Sequence, residues 1–312
     1  RWVDENLPRI PIKVASPTGV VLNQLFTFPT TTWMPYDWST NNVAHEEVAN
    51  MALAYFQAGR DDDGFLLLKS DLIDGQYLGV SPGNFGQISF YDAARGECYR
   101  DFGDPIGVAS RVLIQGLFGI LPDALNQQII LRPGFPDDWD KASVSTPDIS
   151  YRFTRKENTD TYHITQRFQT PLHPVLHVNA RKEKIRSVKV NGVPATWQSI
   201  ESAHGYPLLS IQAEGTSSTT ITIEWEGAPL HTLAVQEPVI TSNGKLALQI
   251  PSGASISQVY DPQSVLANHT VEATAFNAQI KGEPGHHTFF VYTHQGEMDW
   301  WQPVNIYIEN VR

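Results

Sequence analysis

The hydrophobic period of this chain changes once, near Pro122, and that change sets the broad architecture. Before it, apolar residues recur every three or four positions. After it, they alternate with polar ones. A three-to-four period builds helices and a period of two builds half-buried strands. The expected fold is therefore mixed: a helical segment followed by antiparallel β-sandwich domains. The boundaries that follow are 1–125 for the helical part, 126–227 for a β-sandwich, and 228–312 for a second β-module or an extension of the first.

Residues 1 to about 40 hold Pro8, Pro11, Pro17, Pro29 and Pro35, which break helices, so this stretch reads as irregular or extended. A helix is expected from Val43 to about Ala58, with Val48, Met51, Tyr55 and Phe56 on one stripe and Gly59 as its stop. A second runs from about Asp62 to Ile73 on Phe65, Leu68 and Leu72, ending at Gly75. A third opens at Asp104-Pro105, with Asp104 as cap and Ile106, Ala109, Leu113 and Leu117 as buried stripe, ending at Gly119. Beyond Pro122, Ile149 to Phe168 reads as a hairpin. Asn191-Gly192 is a tight-turn signal, and Ile221, Ile223 and Trp225 alternate in a strand.

Composition narrows the chemistry. The formal net charge is −11 with no Lys/Arg block, a field that repels phosphate backbones and anionic lipid. Nucleic acid and membrane surfaces are poor partners for such a chain, and a neutral substrate suits it better. The single cysteine, Cys98, rules out an intrachain disulfide framework and a Cys-rich zinc site. The most apolar run, Val112 to Leu121, is about half of the ~20 residues that span a bilayer, so no membrane insertion is expected. His286-His287 and the other histidines lack metal-ligand spacing, and Asp61-Asp62-Asp63 lacks the alternation of a calcium loop. No metal or organic cofactor is implied.

The chemistry-bearing residues cluster before Pro122. Glu97 sits in a Gly-flanked loop, where a carboxylate either accepts a proton from water in a cleft or is simply solvated. Asp101 follows it, with Arg100 beside it as an ion-pair partner. His45 and Glu46 open the first helix, either as residues of a first turn whose acids favour the dipole or as groups facing a cleft beside Trp33, Tyr36 and Trp38. Sugars present C–H faces to aromatic rings and hydroxyls to Asp, Asn, His and Arg. Trp33, Trp38, Asn84, His45, Glu46, Arg100 and Asp101 are the residue types such a ligand requires. Trp300-Trp301 reads as a packing cluster, with sugar binding as the alternative.

Three segments carry a resemblance: WSTNN at 38–42, SPGNFG at 81–86 and GECYRDFGD at 96–104. They are similar to motifs of the glycosidase-like Bacteroidetes family called domain of unknown function 4450. The run from Arg111 to Trp139 resembles the passage from the last helix of an (α/α)6 toroid glycoside hydrolase into its C-terminal β-sandwich. The resemblance implies a partial toroid for the helical segment and hydrolysis of a glycosidic bond with inversion. It also implies Glu97 as general base and a periplasmic or secreted bacterial setting. Glycosidases use an acid and a base, and the toroid acid lies upstream of the residues present here. The chain therefore reads as the C-terminal part of a larger enzyme. Its exposed helix stripe would be covered by the N-terminal part of that enzyme or by self-association. The alternative is a non-catalytic carbohydrate-binding or structural accessory module.

Overall fold

The structure is a computed structural model. It describes all residues except 1, 13, 16–20, 23, 30–41, 79–89, 93–97, 100–102, 232–236 and 310–312. The chain divides into two compact units, Arg1–Pro122 with Ile130–Trp139, and Asp123–Ile129 with Asp140–Arg312.

In the first unit, the helices His45–Gln57 and Asp61–Leu72 form an antiparallel hairpin. Gly59, at φ +72°, takes the left-handed conformation that ends the first of them. Val48, Ala49, Ala52, Leu53, Tyr55 and Phe56 are buried on one helix, and Leu67, Leu68 and Ser70 on the other. The helix Asp104–Arg111 packs on His45–Gln57 and continues as a wider π-helical turn over Val112–Leu117. Phe56 sits in a socket of glycines: a Cβ on Gly64, Gly116 or Gly134 would lie 2.9, 2.6 or 2.5 Å from its ring. Phe65, Trp139, Phe135 and Phe118 form a chain of ring contacts, with centroids 4.8 to 6.2 Å apart, so the FPDDW segment closes over the second helix.

Several expectations need correction here. Strands make up 49% of the structure and helices 20%, and no toroid segment is present among the described residues. The helical period was read correctly over three elements, but the chain around them forms short strand pairs, Ile10–Pro11 with Phe26–Thr27 and Val14–Ala15 with Val21–Leu22. These are not the paired helices of a toroid. The stripe expected to need an outside partner is covered from within the chain. Val48, Tyr55 and Leu68 are buried, Met51, Phe65 and Leu72 partly so, and the Tyr55 hydroxyl donates to Asp4 at 2.6 Å. The second helix does not stop at Gly75 but runs on as a π-helical turn to Leu78. Asp104 is the first helical residue rather than the cap, which is Gly103. The third stripe holds at Ala109 and Leu117, which are buried, but Ile106 and Leu113 are 45% and 38% exposed, and Pro105 and Val112 are buried beside them.

Among the described residues, the regular structure of the second unit is β apart from one 3-10 turn, Ala124–Asn126. A six-stranded sheet has the order Lys141–Ser145, Ile149–Lys156, Thr159–Gln166, Ser218–Pro229, Lys182–Val190, Val193–Pro194. The predicted hairpin pairs Ile149 with Gln166 through Lys156 with Thr159. Asn191 and Gly192 turn the next strand at φ 51° and 80°, the left-handed pair that a two-residue hairpin demands. Tyr151, Phe153, Tyr162, Ile164, Ile221, Ile223 and Trp225 are buried along the inner face. Leu176, Val178, Leu209 and Ile211 are buried on the strands His173–Asn179 and Leu208–Gln212 of another sheet. Asp160 enters this interior with its charge met by Arg155 Nε at 3.0 Å and Arg181 Nη1 at 2.9 Å, while Trp225 Nε1 donates to it at 3.1 Å.

Residues 239–309 add two more sheets around one core containing Phe276, Phe289, Val291, Val304 and Ile306. One has the order Val239–Thr241, Met298–Glu309, Gly285–Gln295, Ala254–Tyr260, and its first pair is parallel. The two β-modules are stitched together by backbone: Gly205 N–H donates to the Trp301 carbonyl, Trp301 N–H to Ala203, and Glu297 N–H to Glu183.

Candidate functional site

A small antiparallel sheet is formed by Asn42–Ala44, Phe90–Asp92 and Cys98–Tyr99. Asn42 pairs with Asp92, and Tyr91 with Cys98. One end of the sheet is thus marked by Asn42, Asp92 and Cys98. Ala44, Phe90 and Tyr99 mark the other end. There the chain continues from Ala44 into His45 and Glu46.

Trp33, Trp38, Asn84, Glu97, Arg100 and Asp101 lie outside the described residues. His45 and Glu46 are described. His45 is fully buried, its Nδ1 2.6 Å from Oδ1 of Asp71, which is fully buried too. This corrects the expectation that His45 touches a sugar directly. The antiparallel hairpin places the first residue of one helix against the last turn of the next. The imidazole and the carboxylate pin these two helix ends together. Glu46 is half-buried in the first helical turn.

The electrostatics of this unit are uneven. Burial pushes the Asp61 carboxyl up to about 7; Arg132 opposes the rise, and Asp137 and Asp62 add to it. Burial raises Asp62 as well, against the N–H that Asp137 donates to it. Asp4 goes the other way. Burial alone would raise it, but hydrogen bonds from Arg60 and Tyr55 outweigh that and hold it at about 2. Among the described residues no three His, Cys, Asp or Glu side chains form a metal-ligand group, and no helix is long and apolar enough to cross a membrane.

A second surface escaped the sequence reading. Along Gly285–Gln295 and Met298–Glu309, Phe289, Val291, Trp300 and Val304 point into the core, so Phe290, Tyr292, Trp301 and Pro303 point out. Tyr260, on the neighbouring strand, is 58% exposed. Its ring lies 6.2 Å from Phe290 at an interplanar angle of 30°, and Trp301 stands at 68° to it, 6.4 Å away. Tyr292 is 4.9 Å from Trp301. Its hydroxyl is raised by desolvation and by the charges of Asp299 and Glu201, so carboxylates border the rings. The adjacent tryptophans thus divide: Trp300 packs, and Trp301 joins the outer aromatic group. The signal lay in the alternation of the last two long strands, which the doublet by itself did not reveal.

No family model matches the chain, and no curated protein matches it. The resemblance to domain of unknown function 4450 therefore has no family match behind it. Among solved structures, an α-L-rhamnosidase from Dictyoglumus thermophilum is 18% identical, with a TM-score of 0.28, over 39% of this chain. The match spans only 14% of the rhamnosidase. A Bacteroides ovatus protein of a mixed-linkage glucan utilization locus, solved in complex with a mixed-linkage heptasaccharide, is 12% identical over 55% of this chain and 64% of its own, with a TM-score of 0.19. Tandem Ig repeats of Dlar are 10% identical over 49% of this chain and 91% of their own, also at 0.19. One of these is named as a glycosidase and another holds an oligosaccharide, but likeness at such TM-scores carries no argument about activity.

Proposed function

We propose that this chain acts on carbohydrate, as part of a glycoside hydrolase in which Glu97 activates the water that cleaves a glycosidic bond. The observation that supports this reading is the register of the small sheet. It sets Asn42, of the WSTNN motif, and Cys98 and Tyr99, of the GECYRDFGD motif, on strands either side of Phe90–Asp92. A general base, aromatic faces and hydroxyl partners are the three things a bound sugar needs. In this reading the general acid comes from residues outside this sequence, and the product anomer is inverted. The carbohydrate substrate is the only ligand the mechanism requires.

The test is Glu97→Gln, assayed by isothermal titration and by reducing-end release over a panel of plant and host glycans. Binding should persist while turnover falls by the ~10²–10⁴ of a lost acid or base. Unchanged turnover removes Glu97 from the mechanism.

The outer aromatic group favours a second reading, a non-catalytic carbohydrate-binding module. Tyr260 and Phe290 stack at an interplanar angle of 30°, Trp301 stands across Tyr260 at 68°, and Asp299 borders the group. Here Tyr260→Ala weakens glycan binding and Glu97→Gln has no effect, so the two variants separate the readings.

A further inference from the structure

We infer that the outward face of the six-stranded sheet is a binding site for an acidic oligosaccharide, one carrying uronate or sulfate groups. This goes beyond the reading of Glu97, which lies in a different unit, and does not depend on it.

The register lays out two rows across four strands. Ser143, Arg152, His163 and Thr220 are successive cross-strand partners, and so are Ser145, Ser150, Thr165 and Ser218. Their neighbours along each strand, such as Tyr151, Phe153, Tyr162 and Ile164, are buried. All eight side chains therefore share the outer face. They are hydroxyls, one imidazole and one guanidinium, with no carboxylate in either row. Arg167 adds a second guanidinium, fixed by donating to the Thr146 carbonyl at 3.2 Å and to Ser150 Oγ at 2.7 Å. Ser143, Ser145, Ser150, Arg152, His163 and Arg167 line a hollow of about 460 Å³.

Threonines on an exposed strand follow from β-propensity alone. Two arginines facing a hollow do not. Elsewhere in this domain arginines are matched to acids: Arg155 and Arg181 to Asp160, Arg186 to Glu224. Among the described residues, Arg152 and Arg167 enter no salt bridge. In a chain of net charge −11, this face keeps its positive charge available for an outside anion. A guanidinium meets a carboxylate or sulfate in a two-pronged hydrogen-bonded pair, and the surrounding hydroxyls match the hydroxyls of a sugar. The hollow falls within the ~300–1,000 Å³ of small-molecule sites, room for more than a single ion. A long polyanion such as nucleic acid meets the net negative field of the whole chain, whereas a short glycan with a few charges meets this face.

The probes are a tri-galacturonide, a sulfated heparin tetrasaccharide, neutral maltotetraose, sodium sulfate and a short single-stranded oligonucleotide, each titrated calorimetrically into the intact 312-residue chain. At least one acidic saccharide should bind, weakening with added salt, and maltotetraose should not compete with it. Arg152→Gln should weaken that binding ~10-fold or more. Arg152→Lys, which keeps the charge and loses the fork, should fall in between. Arg152 is exposed on its strand, and an unchanged melting curve verifies each variant's fold. Glu97→Gln should leave this binding untouched and Arg152→Gln should weaken it, so the Arg152 variants tie the binding to this face and keep failure here distinct from failure of the hydrolase reading. The inference is overturned if neither acidic saccharide binds or if Arg152→Gln binds as tightly as the parent chain. Sulfate or the oligonucleotide matching the saccharides in affinity overturns it too.

Discussion

Replacing Asp160 by alanine probes how the first β-module tolerates a charge in its interior. The carboxylate is 1% exposed and accepts from Arg155, Arg181 and Trp225. Alanine leaves three donors without their acceptor. Breaking a fully buried ion pair costs ~3–5 kcal/mol. Arg155 and Arg181 are 24% and 26% exposed, so water reaches both guanidiniums and the lower end applies to them. The indole N–H of Trp225 has no such relief, and a buried unsatisfied donor costs ~1–3 kcal/mol. These losses overlap, because all three donors share one carboxylate, and we expect a total of about 3–4 kcal/mol. Urea denaturation followed by far-UV circular dichroism reads it. Asp160→Asn keeps an acceptor for Trp225 and should cost about half as much. A loss below ~1 kcal/mol for alanine, or equal losses for the two variants, refutes the argument that this carboxylate is what holds the two arginines and the indole.

Three further outcomes follow from the first unit. Gly116→Ala places a Cβ 2.6 Å from the Phe56 ring and should destabilise this unit by ~1–3 kcal/mol through overpacking, with Phe56→Leu restoring part of the loss in a calorimetric scan. Gly119→Ala should do more harm, because the residue sits at φ +62° and its Cβ would run into the Arg132 carbonyl; a stable protein from that variant contradicts the geometry. Asp61 is raised from 3.8 to about 7 in the folded chain, so the folded state holds its proton more tightly than the unfolded state. Its contribution is most favourable below pH 3.8 and is lost as pH rises through about 7, by up to ~4 kcal/mol. Asp61→Asn should flatten stability between pH 4 and 7, and an unchanged pH profile by chemical denaturation removes that assignment.

What could be read from the sequence was whatever a short window decides. The Ile149–Gln166 hairpin, the Asn191-Gly192 turn and the glycine stops at Gly59 and Gly119 are local choices, and the structure has all of them. In the third helix Leu113 leaves the buried stripe where Val112–Leu117 winds as a π-helical turn, with Phe118 N–H reaching back to the Leu113 carbonyl, whereas Ile106 is exposed in the regular helix before that turn. A wider turn shifts the buried face away from a 3.6-residue period. The toroid was an extrapolation from family likeness. The strands that replace it, two or three residues each, are too short to show any period. His45 looked like a cleft residue because its partner, Asp71, stands 26 positions away and becomes a neighbour only when the helical hairpin closes. The cationic hollow was hidden for a similar reason: Ser143, Arg152 and His163 form a row only once three strands are in register.

The measurement that bears most directly on the central claim is glycan binding and reducing-end release by the chain and its Glu97→Gln variant, side by side on one panel. The account predicts a glycan that both bind with comparable affinity and a turnover that drops ~10²–10⁴ in the variant. A correctly folded chain that binds no glycan on the panel, or a turnover indifferent to Glu97→Gln, contradicts it.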